Sequence, residues 1–556
     1  MLRKKVWRSS LTVLLAGVLM LTGCSGGSGG SGSTADPEKP GDDGKAGEST
    51  SSQFVLGEKQ LDFSFYGNYD WYTMPNWGAD ESSKWIKENK KVNITPVHSG
   101  GNAAQKLNTM IASGSLPDVM WMERGPDVEK LRQAGMLVPF DDYLDKYPNL
   151  KEWLGEAGIN LLRSEDGKLY QFPNWYTSQP NGNAGYVVNK KIYTELGSPK
   201  LETTEDMYNY LSMVKEKYPN VVPFEPHLAK DGQGLNVLYT AFGEDVLNSY
   251  VGIRGVPEGD KLNSIFTDPA YRESMQYAAK LFREKLMSQD AMTQTADQVK
   301  EKVVSGRVAV LASASPTELG QLGHIQLSEN DPDAGYFMVM PIHKPGLDPS
   351  KIMAGTYTQL GWNVSVITKA AKDPEAIFAF LDWYTGPEGQ RIMMWGPEGG
   401  YWDGVEEDGK TPKFTDKYTS DAEGLVELQN ATINLIWNGN TVYVDQAKAK
   451  FESTLPVEQR NWATHWQYEI TWKTQGDGTP FINLDPMPDS EEGIIRQRVE
   501  DIFLESRAKA LYAKNDAEVN AILDKAENDA QSAGYSKLLE YKTVKWQENL
   551  QKMQGN

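Results

Sequence analysis

The sequence predicts an α/β fold, and three observations carry that prediction. Short strand-like runs alternate with helical ones after the first 50 or so residues, further strand-like runs recur in a second stretch, and about 60 residues from Glu491 onward read as helix.

The elements follow in order. In "KQLDFSFYGNY", Leu61, Phe63 and Phe65 alternate with polar neighbours, which predicts a strand running into a loop. Residues 82–91 predict a helix and "VNITPVH" a second strand. "NAAQKLNTMIASG" spaces Ala103, Leu107, Met110 and Ile111 along one helical face, with Gly114 as its stop. "LPDVMWM" then reads as a short buried strand and "PDVEKLRQAGMLVPF" as the start of a helix. This alternation implies a parallel, doubly wound sheet, whose ligand sites lie at the carboxyl ends of the strands; here those ends are Phe65-Tyr66-Gly67-Asn68 and Met120-Trp121-Met122-Glu123. "GYVVNKKIY", "GRVAVLAS" and "YFMVMPIH" read as strands of a second unit, and "GWNVSVITKAAKDPEAIFAFLDWYTGPEGQRIMMW" as a strand followed by a helix. In the C-terminal stretch Ile494, Val499, Ile502, Phe503 and Leu511 fall on one side, the pattern of a docked helical face.

Ahead of this body stands the only cysteine, Cys24. Arg3, Lys4, Lys5 and Arg8 form a basic start, and residues 11–21 an apolar stretch too short to span a bilayer, so 1–23 is expected to be an export signal. A lone cysteine forms neither an internal disulfide nor a metal site. "LTGC" at 21–24 resembles the lipobox of bacterial lipoproteins, and the resemblance implies that Cys24 is acylated, carries palmitate-type chains and anchors the protein at the extracellular face of the cytoplasmic membrane. Residues 24–53 are then the lipidated cysteine and a flexible Gly/Ser/Pro/Asp linker.

Composition excludes several functions. The net charge of −20, which falls by a further four without the signal, argues against nucleic acid, because neutralising phosphates takes clustered Lys and Arg. The five histidines (His98, His227, His324, His343 and His465) show no ligand spacing, so no metal or cofactor is expected. The Gly-x-Ser-x-Gly match at 26–30 lies in the linker, where no nucleophile elbow forms, and "ENDPDAG" at 329–335 lacks the length of a calcium loop and reads as a turn.

The positive signal is aromatic. Among 16 Trp and 26 Tyr, several stand in loops: "YGNYDWYTMPNW" at 66–77, Trp121, "NWY" at 174–176 and "WGPEGGYW" at 395–402. Flat rings beside amides and carboxylates suit a ligand with apolar CH faces and a hydroxyl rim, which describes a sugar.

The pieces "NAAQKLNTMIASGSLPDVMWM", "AGMLVPFDDYLDKYPNL", "DGKLYQFPN", "GYVVNKKIYTELG", "VSGRVAVLAS", "KAAKDPEAIFAFLDWYTGPEGQRIMMWGPEGGYW" and "AILDKAENDAQSAGY" together resemble the sugar-type extracellular solute-binding proteins of bacterial ABC importers, in particular their large lipoprotein members. The resemblance implies a two-lobed periplasmic-binding-protein-like fold with hinge crossings at "KLYQFP" and "FMVMPIHKP" and a helical C-terminal region. Lobe 1 would hold 54–174 plus 343–395, and lobe 2 would hold 175–342 plus 396–556. It further implies a monomeric receptor, not an enzyme, that captures an oligosaccharide between its lobes and delivers it to ABC permease subunits.

Residue by residue, Trp121 stands where relatives place a stacking tryptophan and Glu123 near their hydroxyl-binding carboxylate; alternatively Trp121 caps the lobe core. Tyr66, Asn68 and Trp71 follow the first strand, on the cleft side in this family, although Trp71 fits equally under its loop. Trp175 and Tyr176 lie just past a crossing, and Trp395, Tyr401 and Trp402 either wall the cleft or pack the loop. After "VAVLAS" some maltodextrin-binding relatives present an aromatic where this chain has "ASPTELGQ", so maltodextrin does not carry over. The rival readings are a secreted glycan hydrolase or lyase, which the many carboxylates permit, and a glycan-binding surface adhesin, which would share the aromatic cleft without hinge closure.

Overall fold

β1 (Leu61–Gly67) buries Leu61, Phe63 and Phe65 on one face, as the alternation predicts, in a computed structural model that describes residues 53–174, 183–229, 233–329 and 331–554. The expected signal, Cys24, nearly all of the linker, Trp175 and Tyr176 lie outside the described residues. β2 (Val92–Val97) and β3 (Val119–Glu123) flank β1 in parallel. The helix between them, Ala103–Ser113, buries Ala103, Leu107 and Met110 and ends at Gly114, whose φ of 67° only glycine adopts without strain.

β4 is Phe172–Pro173, β5 Gly185–Asn189, β6 Val222–Glu225, β7 Val308–Ser313, β8 Tyr336–Val339 and β9 Asn363–Ile367. The first sheet has the order β2-β1-β3-β9-β4, in which β9 runs antiparallel to both neighbours. The doubly wound reading therefore holds for β1 to β3, while the chain that returns from the second lobe enters the sheet from the opposite end. The second sheet has the order β8-β5-β7-β6, and only β6 and β7 pair in parallel. "GYVVNKKIY" divides at Asn189, whose side chain accepts from the Ile192 N–H at 3.2 Å and starts a helix, Lys190–Glu195, where the sequence suggested one continuous strand.

Each sheet has its own core. Phe65, Trp121, Phe172, Phe378 and Phe380 meet on one face of the first sheet, and Tyr66, Met120, Met122 and Val364 on the other. The second core gathers Tyr186, Val188, Phe224 and Val310 with Val499, Phe503 and Leu511 of the C-terminal helices, Glu491–Leu511, Asp516–Ser532 and Tyr535–Met553. Ile494 departs from the expected docked face and is 49% exposed.

Two stretches pack differently from the expected division. Tyr401, Trp402, Tyr418, Leu425, Leu435 and Val444 join the first core, because the helices Pro387–Trp395 and Ala422–Ile436 lie side by side and the chain does not reach the second lobe until Trp462. Lys344 still donates its N–H to the Ala241 carbonyl at 2.7 Å, and the crossing into the first core falls between Ala354 and Leu360. A parallel pair, Gly355–Tyr357 with Gln475–Asp477, ties that crossing to a later one, where Ile482 packs in the first core and Leu484 in the second.

Candidate functional site

The turn after β1 is fixed by backbone contacts before any ligand is considered. The Asn68 N–H donates to the Trp121 carbonyl at 2.8 Å, the Ser99 hydroxyl to the Tyr69 carbonyl at 2.9 Å, and the Ala103 N–H to Asp70 Oδ1 at 2.7 Å. A Cβ on Gly67 would stand 2.1 Å from the Tyr72 ring, so glycine is what lets Tyr72 close over the strand end. Five aromatic rings then converge at the carboxyl ends of β1 and β3. Trp121 has Tyr69 at 4.3 Å between centroids, Trp71 at 5.8 Å, Trp362 at 5.7 Å and Trp437 at 5.3 Å. Trp437 ends the helix Ala422–Ile436 with φ of 40°, a strained conformation for a bulky side chain of the kind that clusters at functional positions. Within this cage Trp121 is fully buried, whereas Trp71 is 57% and Trp362 40% exposed.

Polar groups line the same end of the sheet. The register sets Asn363 opposite Glu123, and the Asn174 N–H donates to the Asn363 carbonyl at 3.1 Å, so the three side chains fall in a row across β3, β9 and the residue after β4. The Asn174 amide, the Asn363 amide, the Ser365 hydroxyl and the Tyr69 hydroxyl are buried here, and the Tyr69 hydroxyl interacts with both Asn363 and Glu123. Leaving such a group unpaired costs about 1–3 kcal/mol, so the amides and hydroxyls gathered here favour polar partners over apolar ones. Glu123 is exposed to solvent yet crowded by protein, as on the wall of a concavity, and that burial raises its carboxyl pKa against the opposing pull of Tyr69 and Arg124.

Glu123 also borders a cleft of about 820 Å³, together with Arg124, Asp127, Asp485, Ile494 and Arg498. Its walls are the turn after β3 and the start of the helix Glu491–Leu511, one from each core. Arg124 is turned into the protein, its guanidinium donating to the carbonyls of Leu360 at 2.6 Å and Gly361 at 2.7 Å; burial lowers its pKa to about 10. On the other wall Asp485 receives Arg496 at 2.8 Å and the buried Lys542 at 3.0 Å, and those cations hold its pKa down against burial. A second hollow of about 620 Å³ shares Pro126 and Asp485 and runs on toward the helix Tyr535–Met553. Among the described residues no group of three or more His, Cys, Asp or Glu is placed to hold a metal ion, and no helix is long and apolar enough to cross a membrane.

The profile of the family described as bacterial extracellular solute-binding protein matches residues 72–391, more than half of the chain. The chain belongs to this family. It is 28% identical over 206 residues to the fructooligosaccharide ABC transporter substrate-binding protein FusA of Streptococcus pneumoniae, covering 34% of this chain and 38% of FusA. It is 26% identical over 217 residues to the polygalacturonan/rhamnogalacturonan-binding protein YtcQ of Bacillus subtilis, covering 37% of this chain and 40% of YtcQ. The matched sequence thus spans about two fifths of these relatives' length. Among solved structures, the alginate-binding protein AlgQ2 without calcium superposes with a TM-score of 0.66 at 18% identity, over 88% of this chain and 98% of AlgQ2. That likeness carries the two-lobed fold. These relatives are named as binding proteins, not enzymes.

In this solute-binding protein the residues expected at the site divide into three groups. Trp71 and Glu123 face the open cage and cleft, and Trp121 forms the back of the cage instead of its exposed surface. Tyr66 points to the opposite face of the sheet, where its hydroxyl donates to Asn68 Oδ1 at 3.1 Å; it orients Asn68 and offers a ligand no surface. Trp395, Tyr401 and Trp402 are apart from the cage. Trp395 lies edge-on to Phe414, the Tyr401 hydroxyl donates to Asp421 at 2.9 Å and the Trp402 indole to the Gly396 carbonyl at 2.9 Å; all three are buried in the first core, with Trp402 paired to Phe414 in a small hairpin. Trp175 and Tyr176 lie outside the described residues. Sequence reasoning missed Tyr69, Trp362, Trp437, Asn174, Asn363 and Ser365 as site residues. The one available signal was a tryptophan beside glycine or asparagine at an element boundary, in "LGWN" and "IWNGN".

Proposed function

We propose that this protein is the membrane-anchored receptor of an ABC importer, capturing a sugar, an oligosaccharide, in the aromatic cleft between its lobes. The observation that carries the reading is the cage of Tyr69, Trp71, Trp121, Trp362 and Trp437, which opens beside the buried amides of Asn174 and Asn363 and the Glu123 carboxylate. Rings supply stacking area for the CH faces of a pyranose or furanose, and the amides and Glu123 supply partners for its hydroxyls. The names of the relatives, a fructooligosaccharide receptor and a polygalacturonan-binding protein, support a sugar ligand. Acylation at Cys24 and the linker behind it would hold the body near the permease pair while leaving the lobes free to close.

The test is a thermal-shift panel of oligosaccharides with chromatography of each mixture. One ligand should raise the melting temperature and be recovered intact, since native-state binding at a hundredfold excess over Kd adds about 2.7 kcal/mol. Cleaved sugar in the recovered mixture, lost on changing one carboxylate, would make the protein a hydrolase or lyase instead.

A further inference from the structure

The carboxylate that faces the ligand side of the cage is Glu123, and the cation nearest to it, Arg124, acts on Glu123 and Tyr69 from inside the protein. Glu123 is the junction: it stands beside Tyr69 in the cage and lines the 820 Å³ cleft. Its neighbour Arg124 turns Nη1 and Nη2 to the carbonyls of Leu360 and Gly361, immediately before Trp362, and its charge pulls on Glu123 from behind. Across the cleft Arg496 is paired with Asp485, and Lys542 reaches the same carboxylate. Asp127 adds a second acid to the Glu123 side. Arg498 is the exposed guanidinium on the facing wall that no described carboxylate engages, and it belongs to the other lobe.

We infer that the cage half of the cleft selects an uncharged, hydroxyl-bearing sugar and rejects a uronate, with Glu123 as the specificity-determining residue. The inference rests on the sugar-receptor reading above and narrows it. A carboxylate at Glu123 accepts hydrogen bonds from two sugar hydroxyls, and the amides of Asn174 and Asn363 and the hydroxyls of Ser365 and Tyr69 both donate and accept, which matches neutral hydroxyl chemistry. A uronate seated on the same rings would bring a second anion directly against the exposed Glu123 carboxylate, while the Arg124 cation acts on Glu123 from inside the protein with Nη1 and Nη2 turned to the Leu360 and Gly361 carbonyls, away from the ligand. Like-charge juxtaposition is an effective means of exclusion because it penalises the wrong ligand without weakening the right one. Relatives named for fructooligosaccharide and for polygalacturonan stand on opposite sides of this division, so the charge of the ligand is not fixed by family membership.

The experiment titrates the mature protein by calorimetry with two matched sets: neutral tri- and tetrasaccharides of several linkages, and oligogalacturonates and alginate oligomers of the same length. A neutral member should bind at least tenfold more tightly than any uronate, and Glu123→Gln should narrow that gap by at least tenfold. Gln keeps the size of Glu123 and an acceptor for Tyr69, and urea unfolding of the variant checks that its fold is retained. Salt gives an independent reading: repulsion from Glu123 predicts that weak uronate binding strengthens as salt is raised, while capture by Arg498 predicts that it weakens. A uronate that binds more tightly than every neutral sugar, or a gap unchanged in Glu123→Gln, overturns the inference and leaves the receptor reading standing. Silence from both sets overturns the sugar-receptor reading and the inference with it.

Discussion

Trp437 lies flat against Trp121, ring centroids 5.3 Å apart and planes within 8°. The face of Trp121 that family resemblance offers to a sugar is thus already covered by a protein ring, and the other sides of Trp121 meet Tyr69, Trp71, Tyr72 and Trp362. Trp121→Ala should therefore remove packing that exists without ligand, at the roughly 3 to 5 kcal/mol expected for truncating a buried tryptophan. Denaturant unfolding of the ligand-free protein measures it; a loss under 1 kcal/mol would mean that the cage is loose and rebuilt by ligand.

The exposed rings should behave in the opposite way. Trp71→Ala and Trp362→Ala remove surfaces that are 57% and 40% exposed, so ligand-free stability should change little. Binding should suffer instead, because large rigid anchors at an interface cost roughly 2 kcal/mol or more on truncation, over tenfold in affinity. Calorimetry with the ligand found in the panel decides the point: unchanged affinity in both variants would move the sugar elsewhere in the cleft.

Much of the framework was legible in the sequence because its signals are local. Alternation in β1, the Gly114 stop and the strand ends at Asn68 and Glu123 depend on neighbours within a few residues. The cage was only half legible because its members come from four separate segments: Tyr69 and Trp71, Trp121, Trp362 and Trp437. Nothing local distinguishes Trp437, which is brought to Trp121 by the packing of the helix Ala422–Ile436 on the first lobe, from Trp402, which begins a small hairpin and packs into the first core. Glycine-rich loops with tryptophans look alike in sequence whether they face a cleft or close over a core.

The anchor carries its own test. With "LTGC" at 21–24, the mature N-terminus should be Cys24 and the protein should fractionate with membranes. Cys24→Ser should release or misprocess it, as judged by N-terminal mass and fractionation. Equal membrane retention of a correctly trimmed Cys24→Ser protein would rule out lipid attachment at this residue.

A buried acid in the first lobe predicts how stability depends on pH. Asp382 is 2% exposed and sits on the N-terminus of the helix Pro148–Leu162, where it accepts from the Leu150 N–H at 2.7 Å and the Asn149 N–H at 3.2 Å. Two effects compete. The helix N-terminus and its hydrogen bonds favour the carboxylate, while burial disfavours it, and burial wins, raising the pKa to about 6. An acid whose folded pKa lies above its unfolded value binds more protons in the native state between the two, so stability falls as pH rises from about 4 to about 6. At about 1.4 kcal/mol per unit, the effect is on the order of 3 kcal/mol. Asn at this position keeps an acceptor for the Leu150 N–H and does not titrate. The unfolding free energy of wild type minus that of Asp382→Asn should thus drop by about this amount between pH 3 and pH 7, half of it by about pH 5, midway between the unfolded and folded values, in urea melts at each pH. A difference that instead grows with pH would mean that the helix N-terminus outweighs burial and that Asp382 serves the fold as an anion.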